Sequence, residues 1–283
     1  MNNYEALVSA ETKHRKNLEH FLEEVFRDVF LPSHGPEHHL RVWINAMELS
    51  ATGISGHFDE KFAEKLIIAC FLHDAGMAYD RSEKHGVVSM ELCRKFLIEN
   101  NMPEDEFTEV LDAIMKHDDK SYKTGSRVTP LNIILNIADD LDAFGFTGIY
   151  RYIEIFSERG IPLNQMAEKV LNNATARFQN FTDYFGSYKE LYEKHLQRFK
   201  ILEDFFRNYM RQSEIYSFGT ESPEGYCGIA EVIQYMFVHC MSLKYLQISN
   251  YFRKLSDDPV ITGFFREFEK EISNMNDNYL YGI

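Results

Sequence analysis

Apolar residues recur at three- and four-residue steps along nearly the whole chain, the period of an α-helix buried on one side. Between Tyr4 and Phe30 the steps run through Leu18, Phe21, Leu22, Val25, Phe26 and Val29, and Pro32 with Gly35-Pro36 ends them. The pattern predicts a second helix from Pro36 to Ala51, with Leu40, Trp43, Ile44 and Met47 on one face and Gly53 and Gly56 beyond it. A third begins near Asp59, carries Phe62, Leu66, Ile67 and Cys70, and stops near Gly76, just past His73-Asp74. Another runs from His85 to Asn100, and Pro103 opens one that carries Val110, Leu111 and Ile114 up to His117. Thr129 is an N-cap ahead of Pro130 at the first helical position of a further helix, through Ile133, Ile134, Ile137 and Leu141, with Gly145 just past it.

After Gly160-Ile161-Pro162 the chain turns rich in Phe, Tyr and Lys. Helices are expected over 163–212, about 229–256 and 260–275, with a loop from Phe218 to Gly228. No stretch alternates at the two-residue period of a strand. The fold class is therefore all-α. The shift in composition divides the chain into regions 1–160 and 161–283, without a flexible linker between them. The second region is expected to pack on the first and to help form a pocket or a contact between copies.

Composition narrows the picture. Hydrophobic residues at 45%, with 23 Phe, fill a large core, so disorder is not expected. A net charge of −14 repels the phosphate backbone of duplex nucleic acid at long range, but leaves room for a local pocket that takes a small phosphorylated molecule. The longest purely apolar run, Leu66 to Leu72, is seven residues, far short of a membrane span. Met1 to Ala10 lacks the basic start and apolar core of a secretion signal. Cys70, Cys93, Cys227 and Cys240 form no CxxC pair and read as reduced thiols. A cytoplasmic protein with no membrane partner is the expectation.

The chemistry-bearing side chains gather at a few places: His34-Gly-Pro-Glu-His38-His39, His73-Asp74, His85, His117-Asp118 and Asp139-Asp140-Leu141-Asp142. Six of the eleven histidines fall there. Neighbours on a regular helix point about 100° apart, so His73 and Asp74 can reach one ion only near a helix end, which Gly76 supplies. One His from a first helix, a His-Asp pair from a second and an Asp from a third give two imidazoles and two carboxylates. That mixed set suits Mn, Fe, Ni, Zn, Co or Mg and leaves positions open for water and a substrate oxygen. Elsewhere the readings are structural. His14, His20, His57, His195 and His239 have no evident partners, and His34 reads as a turn residue. Arg41 is either a substrate contact or a salt-bridge partner. The aromatic run Phe178 to Tyr192 reads as core or oligomer contact, with a base-stacking lid as the lesser alternative.

The three segments His38-His39-Leu40-Arg41-Val42, Phe71-Leu72-His73-Asp74-Ala75-Gly76 and Ala138-Asp139-Asp140-Leu141-Asp142-Ala143 resemble, in order, the HD-domain metal-dependent phosphohydrolases, an all-helical superfamily named for its His-Asp pair. The resemblance covers residues 34 to about 156. It implies an HD helical bundle with additional C-terminal helices, and metal ligands His38, His73, Asp74 and Asp139. The choices of His38 over His39 and of Asp139 over Asp140 rest on flanking residues and could each slip by one. Diiron members carry an adjacent His-His pair where this chain has His117-Asp118, and the Gly-Tyr-Pro element of cyclic-dinucleotide enzymes is absent. These departures argue against a second metal and against a cyclic di-GMP substrate.

The resemblance implies metal-assisted hydrolysis of a phosphoester of a nucleotide or other small phosphorylated metabolite. Asp74 would bind metal and steer water, while His85, His117 and Lys116 would hold phosphate charge or protonate the leaving oxygen. The rival from another class is a regulatory HD protein that binds metal and nucleotide without turnover.

Overall fold

The computed structural model describes residues 2–53, 59–82, 84–118, 129–239 and 256–281, the last seven by their backbone alone. Gly56, His57, Cys240 and the expected helical stretch beyond His239 lie outside the described residues. Among the described residues there are eleven α-helices and no strand. None of these helices is long and apolar enough to cross a membrane.

Packing divides the chain into two compact units, Met1–Asp139 and Asp140–Ile283. The division falls inside a helix, ahead of the change in composition near residue 160.

The first unit holds α1 (Asn3–Val25), α2 (Pro36–Ala51), α3 (Glu60–Leu72), α4 (His85–Glu99), α5 (Thr108–Lys116) and most of α6 (Pro130–Asp142). Local sequence sets the ends. Asn2 and Glu5 form a reciprocal capping box at the start of α1. Pro36 opens α2, Asp59 accepts from the Phe62 N–H at the start of α3, and Thr129 Oγ1 accepts from the Asn132 N–H ahead of α6. α3 is the central element, packed by α1, α2, α4 and α5. Its residues from Leu66 to Leu72 are fully buried, which explains why it is apolar all round. Each such Leu, Ile or Phe contributes roughly 1.5–3 kcal/mol from burial. α5 is shorter than its sequence pattern suggests, because Glu104–Phe107 forms a separate 3-10 turn.

The second unit holds the rest of α6, then α7 (Gly145–Glu158), α8 (Leu163–Phe185), α9 (Lys189–Ser213), α10 (Gly225–His239) and α11 (Pro259–Tyr281). α8 and α9 form a hairpin, and α7 packs on α9, α10 and α11. The expected loop to Gly228 ends early, because α10 already starts at Gly225, whose φ of 64° suits glycine. The aromatic run is largely internal packing. Phe178 stacks on Phe199 at 4.5 Å, and Phe181 lies parallel to Tyr192 and edge-on to His195. The three described cysteines, Cys70, Cys93 and Cys227, are free and buried.

Candidate metal centre

The site is built in the first unit from helix ends. α3 finishes at Leu72, so His73 occupies its C-cap and Asp74 follows, free of the helical ladder. The chain then makes the 3-10 turn Ala75–Ala78. Gly76 permits this turn to lie against α4. A Cβ there would come within 2.2 Å of the His85 carbonyl oxygen and 2.7 Å of the Ser89 nitrogen. The Gly76 N–H instead donates to Ser89 Oγ at 2.8 Å. His85 opens α4, His117 caps α5, His38 sits in the first turn of α2, and Asp139 lies near the end of α6.

Two groups of donor atoms result, each lying within 4.8 Å of one another. One is His38, His73, Asp74 and Asp139; the other is Asp74, His85 and His117. Asp74 belongs to both and divides its oxygens between them. Its Oδ2 lies 3.3 Å from His38 Nε2 and 3.4 Å from His73 Nε2. Its Oδ1 lies 3.1 Å from His85 Nε2 and 2.8 Å from His117 Nε2. Asp139 Oδ1 closes the first group at 3.7 Å from His38 Nε2 and 3.9 Å from His73 Nε2.

The histidine tautomers follow from their outer bonds. Nδ1 of His73 lies 3.0 Å from the Cys70 carbonyl, Nδ1 of His85 lies 2.6 Å from that of Ser82, and Nδ1 of His117 lies 2.7 Å from that of Ile114. A carbonyl only accepts, so each Nδ1 carries the proton and each Nε2 turns inward with its lone pair. Across the two groups, His38 faces His73 and His85 faces His117, Nε2 to Nε2, both at 3.2 Å. In the second pair, where both Nδ1 atoms hold protons, lone pairs this close repel unless a proton or cation lies between them. The donor set therefore fits a divalent cation: buried, two imidazoles and two carboxylates in the first group.

Electrostatics agree. Burial opposes a charge on His85, yet hydrogen bonds to Asp118 and Asp74 bring its pKa up to about 11. Burial likewise opposes a charge on His117, and Asp74 raises it. Burial works against the Asp74 charge as well, but the surrounding imidazoles of His73 and His117 hold it well below the usual carboxylate range. The pKa of His73 is pushed down by burial, which favours the neutral imidazole. A cation would take the place of the protons that His85 and His117 attract.

The geometry also separates the neighbours. His39 is fully buried against the rings of Phe26, His38 and His73, and burial pushes its pKa well below the usual value. It lies outside both donor groups. Asp140 is turned to α8, where Arg177 and Asn180 donate to it at 2.7 and 2.9 Å, and Asp142 accepts from Arg151 at 2.7 Å. Lys116 is not brought into the cluster. Its side chain is 44% exposed and pairs with Asp112 one turn back on α5. His34 is buried beside His38, their rings 5.3 Å apart, and accepts or donates at Nδ1 with Ser33 Oγ. His14 is a partner of Glu64, and His195 is core.

Residues 36–143 match the family model of the HD domain. The chain carries an HD domain. The match begins at the first residue of α2 and ends one residue past α6, so both donor groups lie inside it. No curated protein and no solved structure matches the chain.

The sequence marks Asp118 as a metal-capable neighbour of His117 but gives it no role. Its carboxylate lies 3.1 Å from His85 Nε2. The signal available in the sequence was the His-Asp order at 117–118, which repeats that at 73–74.

Proposed function

We propose, against the single ion expected from the sequence, that this HD domain is the catalytic centre of a metal-dependent phosphohydrolase in which Asp74 would serve two divalent ions. His38, His73, Asp74 and Asp139 would hold the first, and Asp74, His85 and His117 the second. One observation carries the reading: the two oxygens of Asp74 face two separate pairs of inward-turned Nε2 atoms. The substrate class is a phosphoester of a nucleotide or other small phosphorylated metabolite, in keeping with the superfamily.

Bound divalent ions of this kind lower the pKa of water and offset the charge of a phosphoryl group. The chain's own part is to hold and orient. Cys70, Ser82 and Ile114 fix the imidazole tautomers through their carbonyls. Burial of His38 and His73, both fully enclosed, shuts the imidazole side of the first group off from solvent. Asp74, ionised between imidazoles, ties the two halves together.

The test is elemental analysis of the purified full-length protein after saturation with Mn, followed by a phosphatase screen. Two equivalents and turnover on a phosphoester are expected. Asp74→Ala should lose both equivalents and the activity while helicity by circular dichroism persists. A variant that keeps the full complement would refute the assignment.

A further inference from the structure

The His-Asp pair occurs twice in the same structural setting. His73 is the C-cap of α3 and His117 is the C-cap of α5, with φ, ψ of −58°, −40° and −60°, −29°. Each sends its Nδ1–H to the carbonyl three residues earlier, Cys70 or Ile114. Each is followed by an Asp released from the helix, Asp74 or Asp118, whose carboxylate turns back on the imidazole. The distances are 3.4 Å for His73 Nε2 to Asp74 Oδ2 and 3.8 Å for His117 Nε2 to Asp118 Oδ1. The other oxygen of Asp118 reaches His85 Nε2 at 3.1 Å. Both oxygens of Asp118 thus face the second donor group.

Asp118 differs from the rest in access. Its side chain is 39% exposed, whereas those of the other six ligand residues are at most 7% exposed. It also differs in hardness from an imidazole, since a carboxylate favours oxygen-seeking ions such as Mn and Mg.

We infer that Asp118 is the fourth ligand of the second ion, making that ion the solvent-facing, exchangeable member of the pair. The inference rests on the two-ion reading above. It gives the second group the same inventory as the first, two imidazoles and two carboxylates. It also gives the chain two ions of unequal grip: one enclosed by side chains almost fully buried, and one held on its outer side by an exposed carboxylate.

The experiment is Mn titration of the full-length protein, following free Mn by electron paramagnetic resonance, for wild type, Asp118→Asn and Asp118→His. Wild type should show a tight and a weaker equivalent. Asp118→Asn should weaken the second equivalent by about tenfold or more and leave the first unchanged. Asp118→His should recover binding with Co or Zn and favour them over Mn by about tenfold relative to wild type. Unchanged second-site affinity in Asp118→Asn, with two equivalents in wild type, would overturn the role of Asp118 and spare the two-ion reading. A wild type that saturates at one equivalent would overturn both, leaving Asp118 as the carboxylate that keeps a proton on His85. Circular dichroism and the intact first equivalent report that each variant is folded.

Discussion

His85 and His117 meet Nε2 to Nε2 at 3.2 Å, although they come from different helices, thirty-two positions apart. Each has committed its Nδ1–H to a backbone carbonyl, so neither can turn away without leaving that carbonyl unpaired. Loss of one imidazole should therefore empty the second group and leave the first intact. For His85→Ala and His117→Ala we expect retention of one tight metal equivalent and loss of the other, with turnover lower by at least about tenfold. Metal content and turnover on the best substrate found provide the check. Wild-type turnover in both variants would remove the pair from the chemistry.

Gly76 is set by steric room alone: its φ is not in the left-handed region, yet no Cβ fits against the His85 carbonyl at 2.2 Å. Gly76→Ala must push the 3-10 turn and α4 apart. Overpacking of this kind costs about 2–3 kcal/mol. Urea denaturation should show that loss, and the shift of His85 should weaken the second ion more than the first. Stability within a few tenths of wild type would mean that the turn yields freely.

The helices were legible because they rest on local rules, and the donors His38, His73, Asp74 and Asp139 through the resemblance carried by their flanking segments. The three-and-four spacing of Leu66, Ile67 and Cys70 marks a helix wherever it packs, and His73-Asp74 before Gly76 marks its end. The relation between Asp74 and His117 was not legible, because a shared carboxylate depends on two helix ends converging across forty-three positions. Lys116 and Asp118 illustrate the same limit from opposite sides. Both flank His117, but the helix directs Lys116 to Asp112, while Asp118 lies past the cap and is free to turn toward His85. The choice between Asp139 and Asp140 likewise needed the partners of Asp140 on α8, which no local pattern announces.

Acid should find a weak point on α3 that is independent of the metal centre. Glu64 accepts from Lys13 at 2.8 Å and Lys61 at 2.9 Å, with His14 Nε2 2.8 Å away. Burial raises its pKa, but hydrogen bonds and charge from the two lysines outweigh this and bring it down to about 2. In the unfolded chain Glu64 titrates near 4.5. Its contribution is thus fully present above pH 4.5 or so and is lost as pH falls toward about 2. With Lys13 largely exposed, screening reduces the contribution to roughly 1–2 kcal/mol. Glu64→Gln should be less stable by that amount at neutral pH, and the gap should narrow between pH 4.5 and 2 in denaturation series. A gap independent of pH would assign the loss to packing.

A chain ended near residue 160 should fail as an independent module, for reasons internal to the second unit. Ile149, Tyr150 and Ile153 on α7 are at most 1% exposed, and their cover is supplied by α9, α10 and α11. Tyr150 stacks on Phe268 at 5.2 Å. The α6–α7 turn loses its fastenings too. Arg198 donates to the carbonyls of Leu141 and Phe144, and Glu271 accepts from the Phe146 N–H. Asp140, fully buried, would lose Arg177 and Asn180, a loss of about 3–5 kcal/mol for a buried ion stripped of its partners. Asp139 is the next residue along the same helix, so fraying of α6 from this end reaches the first metal group directly. The truncated chain should elute as aggregate in size-exclusion chromatography and bind less than one metal equivalent. Elution as a monomer with the full metal complement and activity would show that residues 161–283 are dispensable to the centre, and that α7 needs no cover from the helices after it.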